Sequence, residues 1–231
     1  MTDELEQFPA PRIRDHARAG VQAAVSALPL GGTVNQLFDA VMAPSVERRQ
    51  IRWFKKLAEI VDELRVKVDD FDLERLADNE VFVTAVLDAS RIAVTTHREE
   101  KLTLLKSVLV RLAVDSDSDE FLALQMLRFV DALTPEHFVV LKYWANPRGW
   151  FEAKELGQPN SSMGSPSSIL QHAQLPIHGE SLEIVHRDLS DFGLAQTDSL
   201  NTMVTQNGMW APRSTELGNR LLEFASEDGR S

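Results

Sequence analysis

The 231-residue chain is 43% hydrophobic and 26% charged, a composition that suits one or two globular domains and argues against disorder throughout. Its 24 basic and 35 acidic residues give a formal charge of −11, which repels polyanions unless the cations gather on one face, so nucleic acid is a disfavoured partner. No cysteine is present, which excludes disulfides, thiolate zinc sites, iron–sulfur clusters and cysteine nucleophiles and fits a reducing, cytoplasmic setting.

Met1 to Phe8 is acidic and lacks the basic start and apolar core of a secretory signal, so no export is expected. Pro9 and Pro11 punctuate a flexible arm over residues 1–13. Arg14 to Leu28 reads as an alanine-rich helix ended by Pro29, Gly31 and Gly32, and a second segment from Thr33 to Ala43 stops before Pro44. Asp39 is the only charged residue between Gly20 and Met42. That segment is long enough for a membrane span, but Pro29, the glycine pair, Gln22, Asn35 and Gln36 match hydrocarbon poorly. Two readings stand: an apolar hairpin buried in the protein, or an interfacial membrane element.

Ser45 opens the next helix as an N-cap, with Trp53, Leu57, Ile60, Val61 and Leu64 as its apolar residues. Its first turns carry Arg48, Arg49, Arg52, Lys55 and Lys56. These five are either a solvated face paired with acidic neighbours or a contact for an anionic surface.

Asn79 to Val114 is the longest run without proline or glycine, and the rest of the chain is expected to pack around it. Phe82, Ala85, Val86, Ala89, Ile92 and Ala93 recur at helical spacing. After a polar patch at 95–101, a second set follows at Leu102, Leu105, Val108, Leu109 and Leu112. The second stripe is turned by roughly 160° from the first. Either one helix buries opposite faces at its two ends or two helices meet at the patch, and both arrangements demand a bundle.

Asp115, Asp117 and Asp119 imitate the start of a calcium loop. Glu120 stands where glycine is required and Met126 where the bidentate glutamate belongs, so these acids are read as helix-capping charge. Phe121, Leu124, Leu127, Phe129 and Val130 mark the following helix. Thr134, Pro135 and Glu136 then open another through Phe138, Leu141 and Trp144. Residues 147–166 are rich in Pro, Gly and Ser and read as a flexible linker. Beyond it lie helices over Ser167 to Gln174 and Glu180 to Phe192. Strands at 202–204 and 209–211 flank an Asn207–Gly208 hairpin turn, and a final helix capped by Ser214 or Thr215 carries Leu217, Leu221, Leu222 and Phe224.

The fold class expected is mainly α: a helical bundle over residues 14–146, then the linker, then a small α+β domain over 167–231. Helix, helix, hairpin and a closing helix opened by Ser214, Thr215, Glu216, Leu217 and Gly218 resemble a winged helix-turn-helix module. The front half, through Ala27, Leu28, Pro29, Leu30 and Gly31 and the basic amphipathic helix from Glu47 to Leu64, is similar to bacterial helical proteins of the abortive infection alpha type. That resemblance implies a link to phage defence. A winged helix implies DNA, but residues 167–231 hold four basic residues (Arg187, Arg213, Arg220 and Arg230) against nine acids, and the helix from Glu180 to Phe192 carries four acids against Arg187 alone.

His16, His97, His137, His172, His178 and His186 are scattered, with no His-Glu-x-x-His arrangement, nucleophile elbow or phosphate loop. His97 with Glu100 is half of a bridged-metal pattern without its companion. No catalytic, cofactor-binding or metal-ligating residue is nominated. Trp144, Trp150 and Phe151 either cover the end of the bundle, dock the C-terminal part, or form a partner surface. The expected function is that of a non-catalytic cytoplasmic interaction or regulatory protein, with a protein partner or self-association and without a cofactor. The alternatives are a DNA-binding transcriptional regulator and a membrane-acting effector using the apolar 20–42 hairpin, for which peripheral membrane contact is the readout.

Overall fold

The computed structural model describes residues 31–68, 71–114, 120–159 and 162–226, with residues 31–44 and Glu120 described by backbone alone. The expected arm at 1–13, the helix from Arg14 to Leu28, the turn at Pro29 and the acids Asp115 to Asp119 lie outside these residues. The chain is mainly α-helical. It divides into two units, Met1–Ile51 and Arg52–Ser231.

The described part of the first unit is the beginning of helix α1, Gly31–Lys67. A break at Pro44 was expected, because proline lacks the N–H that bonds the carbonyl four residues back and its ring presses on that carbonyl. The helix instead runs through Pro44 and extends over 37 residues. In this unit Arg48 is exposed, Arg49 half-buried and Ile51 exposed.

The second unit is built on α3 (Glu80–Thr95), α4 (Glu99–Val114) and α5 (Glu120–Ala132), which pack against one another. A short helix, α2 (Leu73–Ala77), leads in through its N-cap Asp72. The run from Asn79 to Val114 is therefore two helices. Asn79 caps the first by accepting from Phe82 N–H at 3.1 Å. Thr96 takes an extended backbone and its hydroxyl accepts from Arg98 N–H at 3.2 Å, which stops α3 and redirects the chain into α4. Small residues on α3, Ala85, Ala89 and Ala93, are buried and let neighbouring helices come close, while α4 supplies the volume with Leu102, Leu105, Val108, Leu109 and Leu112. From α1, Trp53, Ile60 and Leu64 complete this core, and the Trp53 indole donates to Ser90 Oγ of α3 at 2.8 Å. On α5, Ala123, Met126, Leu127, Phe129 and Val130 are buried, whereas Phe121, expected on the apolar face, is exposed.

Helix α6 (Pro135–Ala145) buries Phe138, Val140, Leu141, Tyr143 and Trp144 and packs against the elements that close the chain. These are α9 (Gly179–Asp191) and α11 (Glu216–Phe224), and α11 also meets α4 and α5. Between them lie α7 (Pro147–Ala153), strand β1 (Met163–Gly164), α8 (Pro166–Leu170), strand β2 (Val204–Thr205) and α10 (Gln206–Met209).

Two local readings change. The stretch 147–166 contains α7 and β1: Asn146 is an N-cap that accepts from Gly149 N–H at 2.9 Å, Pro147 fills the first helical position, and Pro147 and Phe151 are buried. The Asn207–Gly208 pair is no hairpin turn. It sits in α10, capped by the Thr205 hydroxyl at 3.4 Å from Gly208 N, and β2 pairs antiparallel with β1 through Met163–Thr205 and Gly164–Val204.

Gly193 ends α9 at φ +67°, a conformation L side chains rarely adopt, and the chain turns back toward α11. There Thr215 caps α11 by accepting from Gly218 N–H at 3.0 Å, donates to the Gly193 carbonyl at 2.7 Å, and its N–H bonds the Leu194 carbonyl at 2.9 Å. A Cβ at Gly218 would overlap that same Leu194 carbonyl oxygen. Gly218→Ala is therefore expected to destabilise the protein by about 2–3 kcal/mol, the usual cost of overpacking. Gly157→Ala, where a Cβ meets nothing within 4 Å, should leave the urea midpoint in place.

Candidate functional site

Two groups of residues stand out as sites from the sequence, the basic turns of α1 and the aromatics at the end of α6, and the structure treats them differently.

In the second unit, the basic turns face α4 across a ladder of ion pairs. Arg52 Nη1 lies 3.8 Å from Glu99 Oε2 and donates to the His97 carbonyl at 3.4 Å, and Lys56 Nζ lies 3.2 Å from Glu99 Oε1 and 3.3 Å from Glu59. Lys106 of α4 then reaches Glu59 at 3.6 Å and Glu63 at 3.0 Å, and Lys67 closes the row on Glu63 at 2.7 Å. Positions 52, 56, 59, 63 and 67 repeat at three- and four-residue steps, so one helical stripe presents them all to α4. Burial alone would lower the Lys56 pKa, but its bonds to Glu99 and Glu59 outweigh that and hold it above the usual lysine value. Burial pushes the Glu63 carboxyl up, and the stronger effect of Lys67 and Lys106 leaves it below the usual carboxylate range. Lys55 points away from this row and is exposed, as is its neighbour Phe54 at 64%.

The aromatics belong to an internal seam. Trp144 and Phe151, considered above as a partner surface, are fully buried, and Trp150 is half-buried. Burial follows from their bonding. The Trp144 carbonyl accepts from the N–H groups of Arg213 at 2.8 Å and Ser214 at 3.3 Å, and its indole N–H donates to His186 Nε2 at 3.2 Å. The Trp150 indole donates to the Ala173 carbonyl at 2.8 Å, with the Lys154 ammonium 4.5 Å above its ring. Phe151 meets Trp210 edge-on with ring centroids 5.0 Å apart. His186 was not singled out from the sequence, since its spacing to Trp144 carries no local signal. Accepting from an indole requires its Nε2 to be unprotonated, and burial depresses its pKa to about 4.

A third cluster has the residue types of a catalytic triad. His137 is buried, its Nε2 lies 3.2 Å from Asp188 Oδ2, and its Nδ1 lies 2.9 Å from the Thr134 hydroxyl. The backbone N–H of Thr134 also donates to Nδ1, at 3.1 Å, so that nitrogen's lone pair is already committed as part of a capping box at the start of α6. Glu136 of the same turn pairs with Arg98 at 2.8 Å. The cluster ties α6 to α9 and to the entry of α4. Beside it, the Lys101 ammonium caps the end of α5 through the Asp131 carbonyl at 2.6 Å, and burial lowers its pKa.

Among the described residues, no group of three or more His, Cys, Asp or Glu is placed to hold a metal ion, and no helix is long and apolar enough to cross a membrane. No family model, curated protein or solved structure matches the chain.

Two outcomes follow from the seam. In the unfolded chain His186 takes up a proton near its ordinary pKa of 6.5, whereas the folded protein resists until about 4. The unfolded state thus binds more protons in that window. Stability should be unaffected above about pH 6.5, fall as pH drops toward 4, and level off below it, losing about 2–3 kcal/mol once the partial exposure of His186 is allowed for. Urea midpoints across this range check the slope. His186→Gln, which keeps an acceptor for the Trp144 indole, should remove the His186 contribution. The Tyr143 phenol oxygen is buried without a hydrogen-bond partner among the described residues. Tyr143→Phe is accordingly expected to stabilise the fold by about 1 kcal/mol, read as a higher melting temperature.

Proposed function

We propose that this chain is a non-catalytic interaction or regulatory protein of the bacterial cytoplasm, linked to phage defence through its resemblance to abortive infection alpha proteins. The observation that carries the reading is the commitment of its polar groups to joints between helices. Both ring nitrogens of His137 are engaged, His186 accepts from Trp144, and Glu99, Glu59 and Glu63 are held by α1 and α4 cations. Large apolar side chains meanwhile remain outside on helical surfaces, among them Leu87 at 67% exposure on α3 and Val66 at 87% on α1. We take Leu87, on the side of α3 opposite its buried alanines Ala85, Ala89 and Ala93, as the point of contact with a protein partner or a second copy.

Sedimentation at increasing concentration tests this reading. The expected result is a mass that rises toward the dimer, with Leu87→Ser holding the protein at monomer mass. A mass that stays monomeric at every concentration would remove self-association from the proposal.

Two other classes remain as readings. A DNA-binding regulator is disfavoured by α9, where Glu180, Glu183 and Asp191 are exposed and Arg187 is the single cation. A membrane-acting effector draws support from exposed Phe54 beside exposed Lys55 on α1.

A further inference from the structure

The ladder to α4 uses one flank of α1, the core residues Trp53, Ile60 and Leu64 use the next, and a third stripe is left on the far flank. Phe54, Ala58, Val61 and Arg65 follow one another at steps of four, three and four, the spacing of a seam along which two helices pair lengthwise. Phe54 is 64% exposed, Ala58 and Arg65 are exposed, and Val61 is half-buried.

This stripe borders α3. The end of α1 leads through α2 into the start of α3, and Trp53, well before that end, bonds Ser90 in the later half of α3, so the two helices run antiparallel. Leu87 stands roughly 60° round α3 from Ser90, away from the buried alanines, which turns it toward the side of α1 that carries Phe54 and Val61. The exposed Leu87 and the α1 stripe therefore share one outward face.

The charges beside this face select its occupant. Lys55 and Asp62, of opposite sign, flank the stripe on the side away from α3, and both are exposed. Two copies laid antiparallel, with a twofold axis between residues 59 and 60, set Ala58 against the second copy's Val61 and Phe54 against its Arg65. In that register Lys55 comes within roughly 3 Å along the helix axis of the second copy's Asp62, and the symmetry forms the pair twice. Reversal of direction keeps both members on the same side of the seam. A parallel pairing would instead set Arg65 on Arg65 and turn Lys55 away from Asp62. Within one chain Asp62 lies 3.5 Å from Arg65, but their side chains are 75% and 61% exposed, which leaves both open to a second partner.

We propose that two copies of this chain dock antiparallel through residues 54–65 of α1, with Leu87 of α3 at the margin of the contact. This rests on the self-association reading of Leu87 given above and goes beyond it by naming the partner, its direction and its register.

The test is sedimentation equilibrium of the full chain and of seam variants, with circular dichroism confirming unchanged helix content. Lys55→Asp and Asp62→Lys each oppose like charges twice across the dimer and should each weaken it roughly tenfold. An equimolar mixture of these two variants should regain the wild-type affinity, because each then meets the opposite charge at both pairs. Ala58→Arg, at an exposed site in the middle of the seam, should hold the protein at monomer mass.

A dimer that Leu87→Ser abolishes but the three α1 variants leave intact would overturn this proposal and keep the reading of Leu87. A mixture no tighter than either variant alone would overturn the antiparallel register. A wild type of monomer mass at every concentration would overturn the proposal and self-association together.

Discussion

One residue fastens the closing third of the chain to the helices before it. Trp144 contributes its carbonyl to two backbone N–H groups of the 213–214 segment and its indole N–H to His186, so a single buried position bonds both the strand-like approach to α11 and the middle of α9. A neutral acceptor nitrogen on His186 is the condition for the second bond, and burial maintains it. Around this point the Arg213 guanidinium lies 5.9 Å from the Trp144 ring centre, Tyr143 packs edge-on against Trp144, and Phe151 meets Trp210. Truncating the Trp144 side chain would remove the indole bond to His186 and the ring packing, while the backbone carbonyl would keep its two acceptor bonds.

The bundle itself follows a simpler logic. Alanines on α3 bring it close to α4 and α5, while leucines and valines on α4 fill the space, so the two helices divide the work of proximity and volume. Long-range polar bonds then set the ends: Lys101 on the Asp131 carbonyl in the last turn of α5, Arg98 on Glu136, and the Thr134–His137–Asp188 chain between α6 and α9. Such bonds fix which helix meets which, where apolar contact alone tolerates sliding.

What could be read from the residues was local. The two stripes at 82–93 and 102–112 mark two buried faces, and Thr96 decides between one helix and two through an extended backbone that periodicity does not encode. Thr134–Pro135 and Thr215 announced their helices because N-caps act within three residues. Asn146–Pro147 has the same grammar, but the surrounding glycines and serines hid it. The Asn207–Gly208 pair failed as a hairpin because Val204 and Thr205 found their partners at Met163 and Gly164, far upstream, and left the pair to the Thr205 cap. Burial of Trp144 and Phe151 was likewise undecidable locally, since His186, Trp210 and Arg213 lie dozens of residues away. Of the basic cluster, the sequence marked the cations, and only the fold identifies Glu99 as the acid they share.

The four tryptophans are distributed in a way that has an optical consequence. Trp53 reports from α1, its indole bonded to Ser90, whereas Trp144, Trp150 and Trp210 report from the joint between α6, α7 and the chain's final third. Because Trp53 lies apart from that joint, the component of the emission that changes with its surroundings alone would follow the seating of α1 against α3, so the molecule carries its own probe of whether that helix lifts.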